Sequence, residues 1–441
     1  MAWNYLKKST GSDRPAGTMS SEQVSAIVSE IIDGVRREGD AAVRRYSGKL
    51  DKWSPASFKL SPQEIADIMA KVPKQTIADI EQVQSNVRRF AEAQMASLKD
   101  FELEVEPGVF LGQRNNPIRS VGAYVPGGRY PLLASAHMTV LTAKVAGVPK
   151  VIGCTPPIGG KIPNATVAAL HLAGADEIHI LGGVQAVAAM AIGTESIAKV
   201  DFIAGPGNAF VAEAKRRFFG EIGIDLFAGP TEVLIVADET ADPFTIATDL
   251  LSQAEHGPDS PAVLITTSTE VASETLRLCS ELLKTLSTAT IAGAAWRDFG
   301  EIVVAADMDE AYRIADEYAY EHVQIFTRCP RDALDRMTNY GALFLGEKTC
   351  VSYGDKCIGT NHVLPTRGAA RYTGGLWVGK YLRTVTYQEV RNAGESGRLG
   401  RLCGRAARAE LFEGHARSGD LRAQKYLGDV INWISQAQKS K

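Results

Sequence analysis

The chain has 441 residues, 45% of them hydrophobic and 22% charged, which is ordinary globular material and long enough to bury two sizeable cores. Lysine and arginine total 48 against 51 aspartates and glutamates, so the charge balance excludes nucleic acid and an anionic membrane as expected partners, and any anion site must be local. Six cysteines without Cys-x-x-Cys spacing, no run near the ~20 apolar residues of a membrane span, and an N-terminus (Met1 to Lys8) without an apolar signal core together give a cytoplasmic expectation with free thiols.

After a polar arm over residues 1–20, Ser21 to Tyr46 reads as a helix whose stripe is Val24, Ile27, Val28, Ile31, Ile32 and Val35. A second helical stretch runs from Ser61 to Lys99, with Arg88, Arg89 and Glu92 on its solvated face. Short strands follow at Val109–Gln113 and Ser120–Val125, before the loop Pro126–Pro131. From Pro149 the pattern alternates: strand Lys150–Cys154, helix Ala165–Ala173, strand Glu177–Leu181, helix Gln185–Ile192, strand Val200–Ala204. Short apolar strands alternating with helices imply a parallel sheet covered on both faces. The strand exits are glycine turns, Gly182-Gly183 and Gly205-Pro206-Gly207-Asn208, where backbone N–H groups could meet phosphate oxygens. No Gly-x-Gly-x-x-Gly fingerprint accompanies them, so a dinucleotide edge and a plain α/β turn both remain open.

Strands are expected at Ile224–Phe227 and Val233–Ala237, then a helix with Phe244, Ile246, Ala247, Leu250 and Leu251 at helical spacing, started by Asp242-Pro243. On it Gln253 and His256 stand three residues apart and share a face, so an amide oxygen and an imidazole can reach one ion. Beyond it, Ala262–Thr266, Ser268–Leu286, Ile302–Ala305 and Met308–Tyr318 repeat the strand and helix alternation as a second α/β unit. No low-complexity linker separates the units, which predicts a cleft between them. The segment 374–441 reads as a helical tail domain, with Leu402, Ala406, Ala409 and Phe412 at helical spacing.

Three further stretches put ligand-type residues at element ends: Tyr320-Glu321-His322, the loop Gly354 to Thr366 with Asp355 and His362, and Glu410 to His415. Singly, each histidine reads better as a structural residue, capping carbonyls or packed in a core, than as a ligand. Four of the seven histidines fall in these stretches and the Gln253 segment, beside carboxylates, and together they point to a metal-assisted enzyme.

The stretches Ala228-Gly229-Pro230-Thr231-Glu232-Val233, Leu250 to Ser260, Glu321-His322 and Gly359 to Thr366 resemble, in order and spacing, the signature blocks of the histidinol dehydrogenase family, over nearly the whole chain. The resemblance implies a homodimeric enzyme with one Zn2+ per subunit that uses NAD to oxidise a primary alcohol through an aldehyde to a carboxylate. It implies an α/β fold of two Rossmann-like parallel-sheet domains, with a helical N-terminal arm (1–20) and a small C-terminal tail (374–441) exchanged in the dimer. The first α/β domain is expected over 21–122 plus 235–373, and the NAD-binding one over 123–234. By the same resemblance Gln253, His256, Asp355 and His415 match the zinc ligands, with His415 reaching the neighbouring subunit's site. Tyr124, Gln185 and Asn208 match NAD contacts, Glu321 and His322 the acid/base pair, and Thr231, His362 and Glu410 substrate contacts.

Departures from the family pattern bear on the substrate. Thr231 stands for the usual serine, Tyr320 for a proline, Val351 for a glutamate, and Lys356 for an aromatic residue. Losing an acid while gaining Lys356, Arg129, Arg367 and Arg371 shifts the expected pocket from a cationic amine toward an anion. The stretch Gly368 to Leu376, the Gly128-Arg129-Tyr130 turn and Gly354-Asp355-Lys356 resemble the sulfopropanediol dehydrogenase branch of the family, which implies 2,3-dihydroxypropane-1-sulfonate as substrate and sulfolactate as product. L-histidinol, another anionic polyol, and a non-catalytic zinc- and nucleotide-binding protein on the same scaffold are the alternatives. His137 and Tyr320 match neither branch.

Overall fold

The computed structural model describes residues 3–10, 19–127, 131–226 and 229–439. In chain order the strands are β1 (Tyr5–Lys7), β2 (Phe101–Glu106), β3 (Val109–Pro117), β4 (Ser120–Tyr124), β5 (Lys150–Thr155), β6 (Glu177–Ile180) and β7 (Phe202–Ala204). There follow β8 (Gly223–Ile224), β9 (Val233–Ala237), β10 (Ala262–Thr266), β11 (Gly300–Val304), β12 (His322–Phe326), β13 (Ala342–Leu345) and β14 (Leu382–Val390). The chain divides into two compact units, residues 1–95 with 117–381 and residues 96–116 with 382–441.

The first unit holds two parallel sheets, ordered β6-β5-β4-β7-β8 and β11-β10-β9-β12-β13, with β1 added antiparallel beyond β11. Both follow one rule: the first strand lies inside, the next two step to one side, and the last two step to the other. Each sheet therefore has a switch point, between β4 and β7 in one and between β9 and β12 in the other. The run Val233-Leu234-Ile235-Val236-Ala237 is apolar throughout because both faces of β9 are buried. Val233, Ile235 and Ala237 enter one core and Leu234 and Val236 the other, as the two-residue repeat of a strand requires. At its carboxyl end Asp238 reaches across to β12, accepting the Arg328 N–H at 2.6 Å and the Thr240 N–H at 2.9 Å.

Several expectations change. The N-terminal arm is not helical where described: Tyr5–Lys7 forms an edge strand beside β11, and Trp3, just before it, packs on Tyr318 with ring centroids 5.1 Å apart. The first expected helix divides at Gly39 (φ 53°) into Ser21–Glu38 and Asp40–Leu50. The second divides at Val72-Pro73 into Pro62–Lys71 and Lys74–Ala96, since proline lacks an N–H and holds Val72 extended. Helix Ser21–Glu38 packs its stripe into the core beside the β4 sheet rather than with the β9 sheet, so 21–38 does not group with 235–373. Of the expected strand Ile224–Phe227 only Ile224 lies in β8, and Phe227 lies outside the described residues.

The second unit pairs the β14-β3-β2 sheet with helices Ala393–Ala409 and Glu413–Leu427. The helices meet at glycines, where a Cβ on Gly400 would lie 2.4 Å from the Gly419 carbonyl oxygen. Residues 96–116 thus join the tail through strand pairing, and 374–381 belong to the first unit. Among the described residues no helix is long and apolar enough to cross a membrane. All six cysteines are free.

Candidate active site

Two amino-terminal strand ends build the chemical centre. Thr231 and Glu232 lead into β9 while Glu321 and His322 open the neighbouring β12, so parallel pairing sets all four side by side. The Glu321 carboxylate accepts the Thr231 hydroxyl at 2.7 Å and the Glu232 N–H at 3.2 Å. His322 Nδ1 lies 3.1 Å from the Glu232 carbonyl oxygen; since a carbonyl can only accept, Nδ1 carries the proton. That leaves Nε2 buried and without a hydrogen-bond partner, 3.6 Å from Asp355 Oδ1.

The helix Pro243–Ala254 delivers the next donors. Asp242 caps its first turn by accepting from the Phe244 and Thr245 N–H groups, Ile246, Ala247, Leu250 and Leu251 bury its apolar face, and Gln253 is buried in its last turn. Gln253 Nε2 stands 3.5 Å and His256 Nε2 3.9 Å from Asp355 Oδ2. A tetrahedral zinc with bonds of about 2.0–2.1 Å sets its donors roughly 3.4 Å apart. A half turn of the Gln253 amide, which leaves its shape unchanged, presents the oxygen. Amide oxygen, imidazole and carboxylate therefore fit three corners of a zinc site. Among the described residues no three His, Cys, Asp or Glu side chains surround one ion-sized point, so the set depends on the glutamine.

Burial and mutual charge tune these groups. Burial raises the pKa of Glu321 against the opposing charge of His322. For His322 burial acts downward, but the carboxylates of Glu321 and Asp355 overcome it and the net shift is upward. Burial alone would raise Asp355; its contact with His322 and that group's charge hold it well below the usual carboxylate range. Burial lowers His256 toward the neutral, ligating form, against the pull of Asp355.

One cleft of about 420 Å³ joins the centre to its surroundings. Thr231, His256, Glu321, His322, Asp355, Lys356 and His362 line it, with Pro206 from the glycine turn after β7. His362 donates from Nδ1 to the Asp355 carbonyl at 3.0 Å, fixing the end of the short helix Val351–Lys356 that carries the aspartate, where the sequence predicts a loop.

Tyr124, Gln185 and Asn208 gather at the carboxyl ends of the β4 sheet, around its switch point. The Tyr124 hydroxyl accepts the Gly183 N–H at 3.0 Å, and Asn208 Oδ1 caps the helix Ala209–Phe218. Gln185 is buried, donating to Asp51 at 2.8 Å, and its Oε1 has no partner. Gly205 approaches Tyr124 so closely that a Cβ would lie 1.9 Å from the tyrosine carbonyl oxygen, at φ +129°. An orphaned amide oxygen, two glycine turns and an exposed helix N-terminus at a switch point fit a dinucleotide.

Other expected residues lie elsewhere. Arg371 is exposed and donates to the carbonyls of Gly368 and Glu317, outside the cleft lining. Arg367 is also exposed; its backbone N–H, held at φ 55°, donates to Glu232 Oε1 at 2.8 Å. Tyr320 packs on Tyr318 at 5.1 Å between ring centroids. Gly128, Arg129, Tyr130 and Ala228 lie outside the described residues. Glu410 and His415 belong to the second unit, both exposed, His415 in the first turn of helix Glu413–Leu427.

Sequence reading assigned no role to Glu232, a buried acid whose Oε2 has no partner. Burial pushes its carboxyl up to about 7, with the Arg367 N–H opposing and the nearby Glu321 adding to the rise. The available signal was an acid set directly against the apolar run of a buried strand.

A family model described as histidinol dehydrogenase matches residues 14–423. A histidinol dehydrogenase homolog of Shouchella clausii is 57% identical over 407 residues, 92% of this chain and 96% of its own. The sulfopropanediol 3-dehydrogenase of Ruegeria pomeroyi is 47% identical over 432 residues, 97% of this chain and 98% of its own. The crystal structure of histidinol dehydrogenase from Elizabethkingia anophelis superposes with a TM-score of 0.88 at 33% identity, covering 94% of this chain and 95% of that one.

Proposed function

The chain belongs to the histidinol dehydrogenase family, and from that premise we propose that it is a zinc- and NAD-dependent enzyme oxidising the primary alcohol of a small anionic diol to the carboxylate, with 2,3-dihydroxypropane-1-sulfonate as substrate and sulfolactate as product. The observation that carries this reading is the single cleft in which Glu321, His322, His256 and Asp355 meet Lys356 and the Pro206 turn. Its cation stands beside the zinc-type donors, where an anionic end would be paired and an ammonium opposed. The name of the Ruegeria pomeroyi relative supports the same substrate.

The balanced reaction is R–CH2OH + H2O + 2 NAD+ → R–COO− + 2 NADH + 3 H+. Zinc held by Gln253, His256 and Asp355 would polarise a substrate oxygen, and NAD on the Tyr124, Gln185 and Asn208 edge would accept hydride. The protein residues move the protons. His322, with Nδ1–H fixed on the Glu232 carbonyl, leaves Nε2 without a hydrogen-bond partner, and once that nitrogen is deprotonated it takes the hydroxyl proton. The aldehyde then needs water, and Glu321, held by Thr231 and the Glu232 N–H, is placed to deprotonate it.

A homodimer belongs to the same proposal, with the tail exchanged and His415 of one subunit as fourth ligand for the other. In its support, all six residues of β2 are exposed, and Phe101, Leu103 and Val105 leave one side of it apolar. The test of function is kcat/KM for 2,3-dihydroxypropane-1-sulfonate against L-histidinol with zinc and NAD present. A wide preference for histidinol would replace the substrate by that amine, a second reading supported by the name of the Shouchella clausii relative.

A further inference from the structure

Opposite the zinc-type donors the cleft is walled by helix Lys74–Ala96 and by a segment that leaves the α-helical path. Residues His137–Leu141 form a π-helical turn between Leu133–Ala136 and Thr142–Val145. Such turns free backbone carbonyls, and here side chains from distant segments claim them. Asn361 Nδ2 donates to the Met138 carbonyl at 3.0 Å and the Tyr381 hydroxyl to the Thr139 carbonyl at 2.9 Å, while within the segment Thr139 Oγ1 donates to the Ser135 carbonyl at 2.7 Å. The turn is thus fixed from several sides, and what it sets in place is His137, only 3% exposed and part of the cleft wall.

The hydrogen bonding of His137 settles its tautomer. Gln84 Nε2 donates to the Ala169 carbonyl at 2.9 Å, which identifies that atom as the amide nitrogen, because the oxygen could not face a carbonyl. The same nitrogen lies 3.1 Å from His137 Nδ1, so Nδ1 accepts and the ring proton sits on Nε2. Nε2 has no hydrogen-bond partner among the described residues. A histidine kept only for packing would have its second nitrogen satisfied by the protein.

We propose that His137 is a further specificity-determining residue, a neutral imidazole that donates its Nε2–H to an acceptor oxygen at the end of the substrate remote from the reacting carbon. The inference rests on the alcohol-oxidation reading above for the identity of that substrate. Burial and the neighbouring His362 hold the His137 pKa down to about 4, which keeps the ring uncharged. A neutral donor suits a sulfonate, carboxylate or hydroxyl oxygen and rejects an ammonium, which can only donate. The wall stands close to the metal-type donors: Ser135, on the preceding turn, lies 3.5 Å from His362 Nε2, and His362 is bonded to the Asp355 carbonyl.

The test compares wild type, His137→Leu and His137→Gln on 2,3-dihydroxypropane-1-sulfonate and on propane-1,2-diol, which lacks the sulfonate. Steady-state KM and kcat are measured with zinc and NAD, and Kd for the sulfonate by calorimetry. Loss of a hydrogen bond to a charged acceptor weakens binding about tenfold or more. His137→Leu is therefore expected to raise KM and Kd for the sulfonate by that factor, with kcat within about twofold and propane-1,2-diol unaffected, and His137→Gln to recover most of the loss. Equal values in His137→Leu and wild type, equal losses on both diols, or no saturable sulfonate binding to wild type would overturn the inference. A wild-type protein that binds the sulfonate but oxidises no anionic alcohol overturns the proposed function instead, and the Kd comparison still decides the role of His137. If His137→Leu does not fold, the 15N imidazole spectrum of the wild type decides, since a protonated Nδ1 on His137 would refute the assignment.

Discussion

The Thr231 hydroxyl donates to the Glu321 carboxylate at 2.7 Å, across two neighbouring strands, so the acid that faces the cleft is held by a residue 90 positions away in sequence. This holds Glu321 in place for the work on water proposed for it, distinct from the proton exchange proposed for His322. In Glu321→Gln the first oxidation should persist while acid formation falls by roughly 10²–10⁴-fold. NADH released per alcohol consumed would drop from two toward one, with aldehyde trapped by a carbonyl reagent. Unchanged stoichiometry would remove Glu321 from the second half-reaction.

Metal content separates ligand from bystander. His256→Ala should lower bound zinc from about one per subunit to a small fraction and abolish oxidation, as should chelation of the wild type. Elemental analysis after gel filtration reads the outcome. Full occupancy together with full activity in the variant would remove His256 from the ligand set.

Lys215 and Asp225 form a buried ion pair that also clamps the Gly205 turn, part of the proposed dinucleotide edge. Lys215 Nζ donates to the Gly205 carbonyl at 2.9 Å and Asp225 accepts the Gly205 N–H at 2.7 Å. Lys215→Met strands a buried carboxylate, so urea denaturation should show a loss of about 3–5 kcal/mol. The KM for NAD should rise as Gly205 loosens, with the KM for alcohol changed less.

Acid stability has a nameable source in Glu177. Burial alone would raise its pKa, but bonds to Lys150, His179 and Lys59 bring it down to about 2. A carboxylate with a depressed folded pKa stabilises fully above its unfolded value of about 4.5 and loses that contribution as the pH falls through about 2. Glu177→Gln should cost on the order of 2 kcal/mol at neutral pH, allowing for partial solvent screening, and flatten the acid limb between those values. An unchanged limb in thermal scans would place the acid sensitivity elsewhere.

What the sequence made legible was local. Periodicity located Val233–Ala237, Ala262–Thr266 and the helix that carries Gln253, because those patterns act within a few residues, although His256 lies in the turn just past the helix end at Ala254 rather than on the helix. The family motifs brought Glu321, His322 and Asp355 into view. The rest depends on distant partners. Nothing near His137 announces a π-helical turn, since the groups that satisfy its carbonyls, Asn361 and Tyr381, lie more than 200 residues away. Tyr5–Lys7 becomes a strand only beside β11, and residues 96–116 join the tail only through β14. Lys356 and Arg371 read alike as loop cations, yet Lys356 lines the cleft and Arg371 bonds backbone carbonyls outside it.

The two sheets share one strand order but do not share a working end. The chemistry of the β9 sheet sits at its amino ends, and at its opposite end the crevice between β9 and β12 is bridged by the Asp238 carboxylate, which takes the N–H groups of Arg328 and Thr240. A side-chain anion thus takes N–H groups at the carboxyl-end switch point, the kind of place where an open α/β sheet receives a phosphate. With the dinucleotide on the β4 sheet as proposed, the two halves are unequal in stoichiometry, and each chain should take up a single equivalent of dinucleotide.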